Sequence, residues 1–278
     1  MRIDAHQHYW DPARGDYPWM AGSLAILQHR YGPQDLAPLR AACGIEATVL
    51  VQAAPTVEET HYLLGIAEAT PSVAGVVGWI DFQHTSERAT LDSLAAHPKL
   101  VGIRPMVQDI ADDDWLLRHD IDWAFAALQE LDLAFDALGY ARHARRFLQR
   151  IEKHPKLRVV IDHGMKPAIA RGEFEPWAGD MRDLARNTSA MCKLSGLANE
   201  AAPGSGVEAL RPYMEHLLEV LGPERLMWGS DWPVASAAIG YADWFRACEQ
   251  LLLPCGDGER ERVFGANAAA FYQLSVQR

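Results

Sequence analysis

The 278-residue sequence predicts an α/β protein built as a single (β/α)8 barrel, and three observations carry that expectation. Short apolar, β-rich segments recur about eight times, and each is followed by a stretch of helical length whose apolar residues return every three or four positions. No Ser/Gly/Pro-rich linker or low-complexity tract divides the chain, so one domain over residues 1–278 is expected. A parallel sheet with crossover helices requires this alternation, and barrels of roughly 250 residues are common as single domains.

Taken in order, strands are expected at 2–6, 47–53, 74–82, 100–106, 133–138, 157–164, 190–196 and 225–231, near-continuous apolar runs as suit strands covered on both faces. Helices are expected at 34–43, 57–70, 85–97, 118–131, 140–154, 176–188, 207–221 and 241–253, with one more at 258–274. Gly222-Pro223 ends the seventh helix, because Gly suits a helix terminus and Pro cannot continue one. The stretch 9–33 is longer than barrel loops usually are. Its Tyr9, Trp10, Tyr17 and Trp19 are costly to leave in water, so it forms either an ordered flap over the barrel mouth or an aromatic plug of the rim.

Composition excludes several function classes. Nearly half the residues are hydrophobic and 23% are charged, which suits a globular core rather than disorder. A formal net charge of -11 argues against nucleic acid and against anionic lipid as partners. The start "RIDAHQHYW" has no secretory pattern and no apolar run approaches the ~20 residues of a membrane helix, so a cytoplasmic location is expected. Cys43, Cys192, Cys248 and Cys255 form no C-x-x-C pair and are expected to be buried reduced thiols. Homo-oligomers are common on base rates, and the sequence adds nothing to that.

In such a barrel, reactive groups gather at the C-terminal ends of the strands. The residues expected there are strongly polar: Asp4, His6 and His8, then Gln52, Asp81, Arg104, Asp136 and His163, and finally Lys193, Ser195 and Asp231. His6 and His8, two apart on an extended segment, share a face and can grip one metal; alone, such a pair is as well read as two partly buried histidines. Asp231 ends the last strand, which neighbours the first when a barrel closes, and His163 adds a third imidazole. His61, His84, His97, His119, His143, His154 and His216 fall in helices or at their ends and are expected at the surface.

Six motifs in a fixed order give a resemblance: "IDAHQHYW" at 3–10, "GIRPM" at 102–106, "VVIDHGMKP" at 159–167, "CKLSGL" at 192–197, "MWGSDWPV" at 227–234 and "FGANAAAFY" at 264–272. Over nearly its whole length the chain resembles the amidohydrolase superfamily, in particular its branch of sugar-lactone and muconolactone hydrolases. The resemblance implies a distorted (β/α)8 barrel that opens lactones, with the histidines of the first strand, the histidine of "DH" and the aspartate of "SDWP" in the active site. Two-metal sites of the superfamily need a bridging Lys or Glu and two mid-barrel histidines, whereas this chain has Arg104 and Asp136, so a binuclear centre is not expected. One Zn2+ held by His6, His8 and Asp231, with His163 as a further donor, matches the ion's preference for N and O ligands; relatives that work without metal leave a metal-free reaction equally open.

Lactone opening needs an activated water and a polarised carbonyl. Asp231 is the expected general base, His163 orients the water or protonates the leaving alkoxide, and His6, His8 and Arg104 donate to the developing oxyanion where no metal does so. A salt bridge from Arg104 to Asp81 or Asp136 is the structural alternative. Asp136, Lys193 and Ser195 are candidate contacts for substrate hydroxyls, with a Lys193–Asp162 pair as the structural alternative, and Trp232 could stack on a sugar face or belong to the core. A mouth with one evident Arg favours a neutral aldonolactone of the fucose, galactose, rhamnose or arabinose type over a dicarboxylate. A muconolactone hydrolase, a decarboxylase of the same superfamily and a sugar-binding barrel without catalysis are the competing readings.

Overall fold

The computed structural model describes residues 1–20 and 22–275. Its eight strands are β1 (Arg2–Gln7), β2 (Ile45–Val51), β3 (Val73–Gly78), β4 (Leu100–Ile103), β5 (Ala134–Ala137), β6 (Val159–Ile161), β7 (Met191–Leu194) and β8 (Leu226–Trp228). Each pairs in parallel with the next, in the order β1 to β8. The ring closes just past β8, where Asp231 N donates to His6 O at 2.8 Å and His8 N to Trp232 O at 2.7 Å. The expected (β/α)8 barrel is therefore present.

Eight crossover helices follow the strands: α1 (Pro33–Cys43), α2 (Val57–Ala69), α3 (Arg88–Ala95), α4 (Asp122–Glu130), α5 (Ala144–Lys153), α6 (Trp177–Asn187), α7 (Arg211–Leu221) and α8 (Tyr241–Leu251). One apolar layer lies between sheet and helices, where Phe82, Phe125, Phe135 and Phe147 meet edge-on or tilted. Each such fully buried ring contributes on the order of 1.5–3 kcal/mol. A second cluster joins Ile3, Val49, Val77, Val160 and Met227 from the strands to Phe271 and Tyr272 from the chain's end. Gly222 caps α7 with φ 69°, as its place before Pro223 implied.

The strands stop earlier than the apolar runs do. β3 ends at Gly78 rather than 82, β6 at Ile161 rather than 164 and β8 at Trp228 rather than 231. The residues beyond β6 and β8 leave the extended region, with φ 54° at both His163 and Asp231, a conformation no strand can hold. The helix expected at 258–274 is broken into α9 (Asp257–Glu261), a π-type turn (Arg262–Ala266) and α10 (Asn267–Phe271). The break lies where Gly265 passes Met1 so closely that a Cβ would collide with Met1 O, and Asn267 Nδ2 donates to Leu226 O at 2.6 Å.

Two of the histidines expected at the surface are buried. His143 accepts from Tyr140 N at 3.1 Å through Nδ1 and meets Asp113 through Nε2, while His216 donates from Nε2 to Ala178 O at 2.8 Å. Periodicity placed both on helices, but the face each helix turns inward is set by its neighbours. Cys43, Cys192 and Cys248 are buried and unpaired, and Cys255 is half-buried. Among the described residues no helix is long and apolar enough to cross a membrane.

The long stretch after β1 forms short 3-10 turns (Pro12–Arg14, Pro18–Met20, Gly22–Leu27). Trp10, Tyr17 and Met20 pack with Leu27, Ala53 and Ala54 on the rim, and Trp19 Nε1 donates to Ala53 O at 2.7 Å. Behind this rim Glu59 Oε2 accepts from Ala53 N at 3.1 Å and from Ala54 N. Burial pushes its carboxyl up to about 7, against the pull of those amides and of Tyr17. A raised carboxyl pKa gives stability that is complete below about 4.5 and is lost as pH rises through about 7. Glu59→Gln keeps an acceptor for both amides and cannot ionise. Its stability relative to the unaltered protein is expected to rise by about 3 kcal/mol between pH 4.5 and 8. Thermal midpoints of both proteins at the two pH values check this, and a difference independent of pH would mean that Glu59 does not change charge on unfolding.

Candidate active site

The polar strand ends converge on a cavity of about 730 Å³, within the range of small-molecule sites. His8, Arg104, His163 and Asp231 reach it from β1, β4, β6 and β8. An irregularity in the β1–β2 register between Asp4 and Gln7 lies at His6, and such bulges re-aim side chains beside functional sites. Asp4 holds the seam below, accepting from His6 N at 3.1 Å, Ser230 N at 2.9 Å and Tyr241 Oη at 3.0 Å. Burial nonetheless pushes its carboxyl up to about 6.

Three imidazoles surround one carboxylate oxygen. Asp231 Oδ1 lies 3.3 Å from His8 Nε2, 3.7 Å from His6 Nε2 and 4.0 Å from His163 Nε2. The opposite ring nitrogens are engaged by the scaffold: His8 Nδ1 donates to Val51 O at 2.7 Å, and His163 Nδ1 shares a hydrogen bond of 2.9 Å with Ser195 Oγ. Because a carbonyl only accepts, His8 Nε2 turns a lone pair toward the cluster. Burial lowers all three histidines, His163 to about 4, so they are neutral near pH 7. Burial works against the charge on Asp231, yet the imidazoles, His163 foremost, hold its carboxyl below the usual carboxylate range.

The donor set fits a divalent ion. His6 Nε2 and His8 Nε2 stand 3.2 Å apart, a contact that needs a proton or a cation between them. His6, His163 and Asp231 present ligand atoms within 4.8 Å of one another, and His8 Nε2 adds a fourth. Metal bonds of ~2.0–2.2 Å place neighbouring ligands roughly 3–3.6 Å apart, close to the separations seen. The engaged Nδ1 atoms supply the outer contacts that orient such ligands.

Beneath the histidines is a buried charge cluster. Lys193 Nζ lies 2.5 Å from Asp136 Oδ2, 2.9 Å from Asp162 Oδ1 and 3.1 Å from His6 Nδ1. Tyr272 Oη donates to Asp136 Oδ2 at 2.8 Å. Burial pushes Asp136 up to about 6; Asp162 is equally buried, but Lys193, then His6 and Arg104, hold it well below the ordinary range. Arg104 Nη1 meets Asp162 Oδ2 at 3.2 Å and His6 Nε2 at 3.3 Å, and Nη2 donates to Gln52 O. Its ion pair is thus with Asp162, not with Asp81 or Asp136.

The structure therefore brings together His6, His8, His163 and Asp231, with Arg104 at their edge. It does not bring Asp136, Lys193, Ser195 or Trp232 to the cavity wall. Asp136 and Lys193 are fully buried below His6, Ser195 stands behind His163, and Trp232 packs against Tyr9 and Tyr31. Strand-end position alone could not tell a side chain at the mouth from one a layer deeper. Asp81 is held in a surface turn by Gln83 N and His84. The sequence reading missed Gln108, Lys166, Asn199 and Glu200, which line the same cavity, and the segment 201–207 that borders it. Only Lys166 carried a signal, as the lysine of "DHGMKP" three residues after His163.

The family model described as amidohydrolase matches residues 3–274. L-fucono-1,5-lactonase of Burkholderia ambifaria is 45% identical over 99% of this chain and 96% of its own length. A second L-fucono-1,5-lactonase, of Burkholderia multivorans, is 33% identical over 99% of this chain and 96% of its own. The crystal structure of an amidohydrolase from Burkholderia multivorans with bound zinc superposes with a TM-score of 0.92 at 33% identity, over 99% of both chains. With the family match running across the barrel and its relatives covering it end to end, this chain belongs to the amidohydrolase family.

Proposed function

We propose that this chain is a sugar lactonase, adding water to an aldonolactone to give the aldonic acid. One observation carries the reading: three neutral imidazoles surround an ionised Asp231 at a cavity of small-molecule size, in a chain 45% identical over 99% of its length to an L-fucono-1,5-lactonase. Aldonolactones of the fucose type, with the related galactose and arabinose forms, are the proposed substrates.

Asp231, as general base, takes a proton from water as the water oxygen bonds to the lactone carbonyl carbon. His163, its Nε2 4.0 Å from Asp231 Oδ1, takes that proton over from Asp231 and delivers it to the ring oxygen as the bond from that oxygen to the carbonyl carbon breaks. Arg104, steered by Asp162 and Gln52 O, sets a fixed positive charge beside His6 to stabilise the developing oxyanion, and His8, its Nδ1 tied to Val51 O, keeps its Nε2 lone pair beside Asp231. His6, His8 and Asp231 would hold one zinc ion. When bound, that ion supplies Lewis-acid polarisation of the carbonyl. Asp136, Lys193 and Ser195 take a supporting role, fixing His6 and His163 from below.

The test is acid release, followed with a pH indicator, from a panel of aldonolactones and muconolactones by metal-stripped and zinc-restored protein. Release from sugar lactones is the expected result. Its loss on stripping and return with zinc would assign the ligands; release from no lactone would overturn the reading.

A further inference from the structure

The backbone after β6 stays left-handed for four residues: φ is 54° at His163, 57° at Gly164, 62° at Met165 and 47° at Lys166. Each non-glycine residue in that region costs on the order of 1–2 kcal/mol, so such a run persists only where its surroundings impose it. Here Lys166 N donates to His163 O at 2.9 Å and Trp177 Nε1 donates to Gly164 O at 2.7 Å. The turn aims two side chains at one cavity, His163 toward Asp231 and Lys166 toward Gln108.

Lys166 Nζ donates to Gln108 Oε1 at 2.6 Å and lies 5.4 Å from the Tyr140 ring. Among the described residues it has no carboxylate within ion-pair distance, so its other protons remain available to a ligand. Glu200 faces the same cavity from the 3-10 turn Leu197–Glu200 that follows β7. Burial pushes its carboxyl up, Lys166 opposes that shift, and Asp231 adds to it.

We propose that Lys166 and Glu200 are specificity-determining residues that read a vicinal diol of the lactone, Lys166 donating to one hydroxyl oxygen while Glu200 accepts from its neighbour. A hydroxyl both donates and accepts, so an ammonium and a carboxylate lining one cavity complement a diol. A lactone without hydroxyls leaves both charges unmatched on desolvation, and a carboxylated lactone meets the like charge of Glu200. The inference rests on the lactonase reading and adds the part of the substrate that is recognised.

Two measurements test it. On the unaltered protein, kcat/KM for an aldonolactone is expected to exceed that for δ-valerolactone by at least about 10²-fold, since sites built to bind hydroxyls reject analogues lacking them. Lys166→Met and Glu200→Ala should each lower kcat/KM for the aldonolactone by roughly 10–100-fold, mainly through KM, and change that for δ-valerolactone by less than about 3-fold. Equal losses on both lactones, or none on either, would overturn the inference while leaving the lactonase reading intact. Should the variants not fold, the unaltered protein decides alone: indifference to removal of ring hydroxyls overturns the inference. If the unaltered protein opens no lactone, the lactonase reading falls and takes the inference with it.

Discussion

Asp231→Asn is expected to lower kcat for lactone opening by roughly 10²–10⁴-fold, the range general-base catalysis contributes. The substitution preserves shape, and asparagine tolerates the left-handed backbone that Asp231 adopts at φ 54°. The main-chain bonds that close the barrel, Asp231 N to His6 O and His8 N to Trp232 O, do not involve the carboxylate. What disappears is the one anionic acceptor among three neutral imidazoles. Steady-state kinetics at saturating lactone, with a thermal midpoint to verify folding, give the answer. A folded variant with kcat within 3-fold of the unaltered protein would remove Asp231 from the role of base and move that role to His163.

The second large effect is on stability. Lys193→Met is expected to destabilise the barrel by about 3–5 kcal/mol, the usual consequence of removing one partner from a buried ion pair. Lys193 is the cation shared by Asp136 and Asp162, both fully buried, and without it Asp136 keeps only the Tyr272 hydroxyl. For a chain of this size the thermal midpoint should fall by roughly 5–9 °C. Removing the orphaned charge as well, in Lys193→Met with Asp136→Leu, should recover part of the loss, because an apolar replacement of a buried pair is often neutral. A midpoint shift under 2 °C for the single variant would show that Asp136 takes up a proton at little cost when Lys193 is gone.

Much of the architecture was legible because apolar periodicity reports burial directly. The order of strands and helices, the Gly222 terminus of α7 and the meeting of Asp231 with the first strand follow from local pattern plus barrel closure. His6 in β1 and His8 just past it, the histidine of "DH" and the aspartate of "SDWP" were likewise placed in one cluster. The roles of Asp136, Lys193, Ser195 and Trp232 were harder to read. Each was rightly placed near a strand's end, yet depth within a barrel depends on the stagger of eight strands, which no single segment encodes. Lys193 lies below His6 rather than beside a substrate because β5, β6 and β7 bring two carboxylates to it at that level.

The rest of the cavity lining shows the same division. Gln108, Lys166 and Glu200 come from three separate loops, and their spacing in sequence carries no period. The sequence by itself determined the barrel, its strand order and the chemical identity of the His–His–His–Asp set, since these depend on residue type and on repeating burial. The tertiary structure alone decided which polar side chains reach the cavity and which are buried as a charge cluster. It also decided that a left-handed turn aims Lys166 at the same space as His163. Those outcomes depend on register, strand stagger and positive φ, quantities fixed only when distant segments pack against one another.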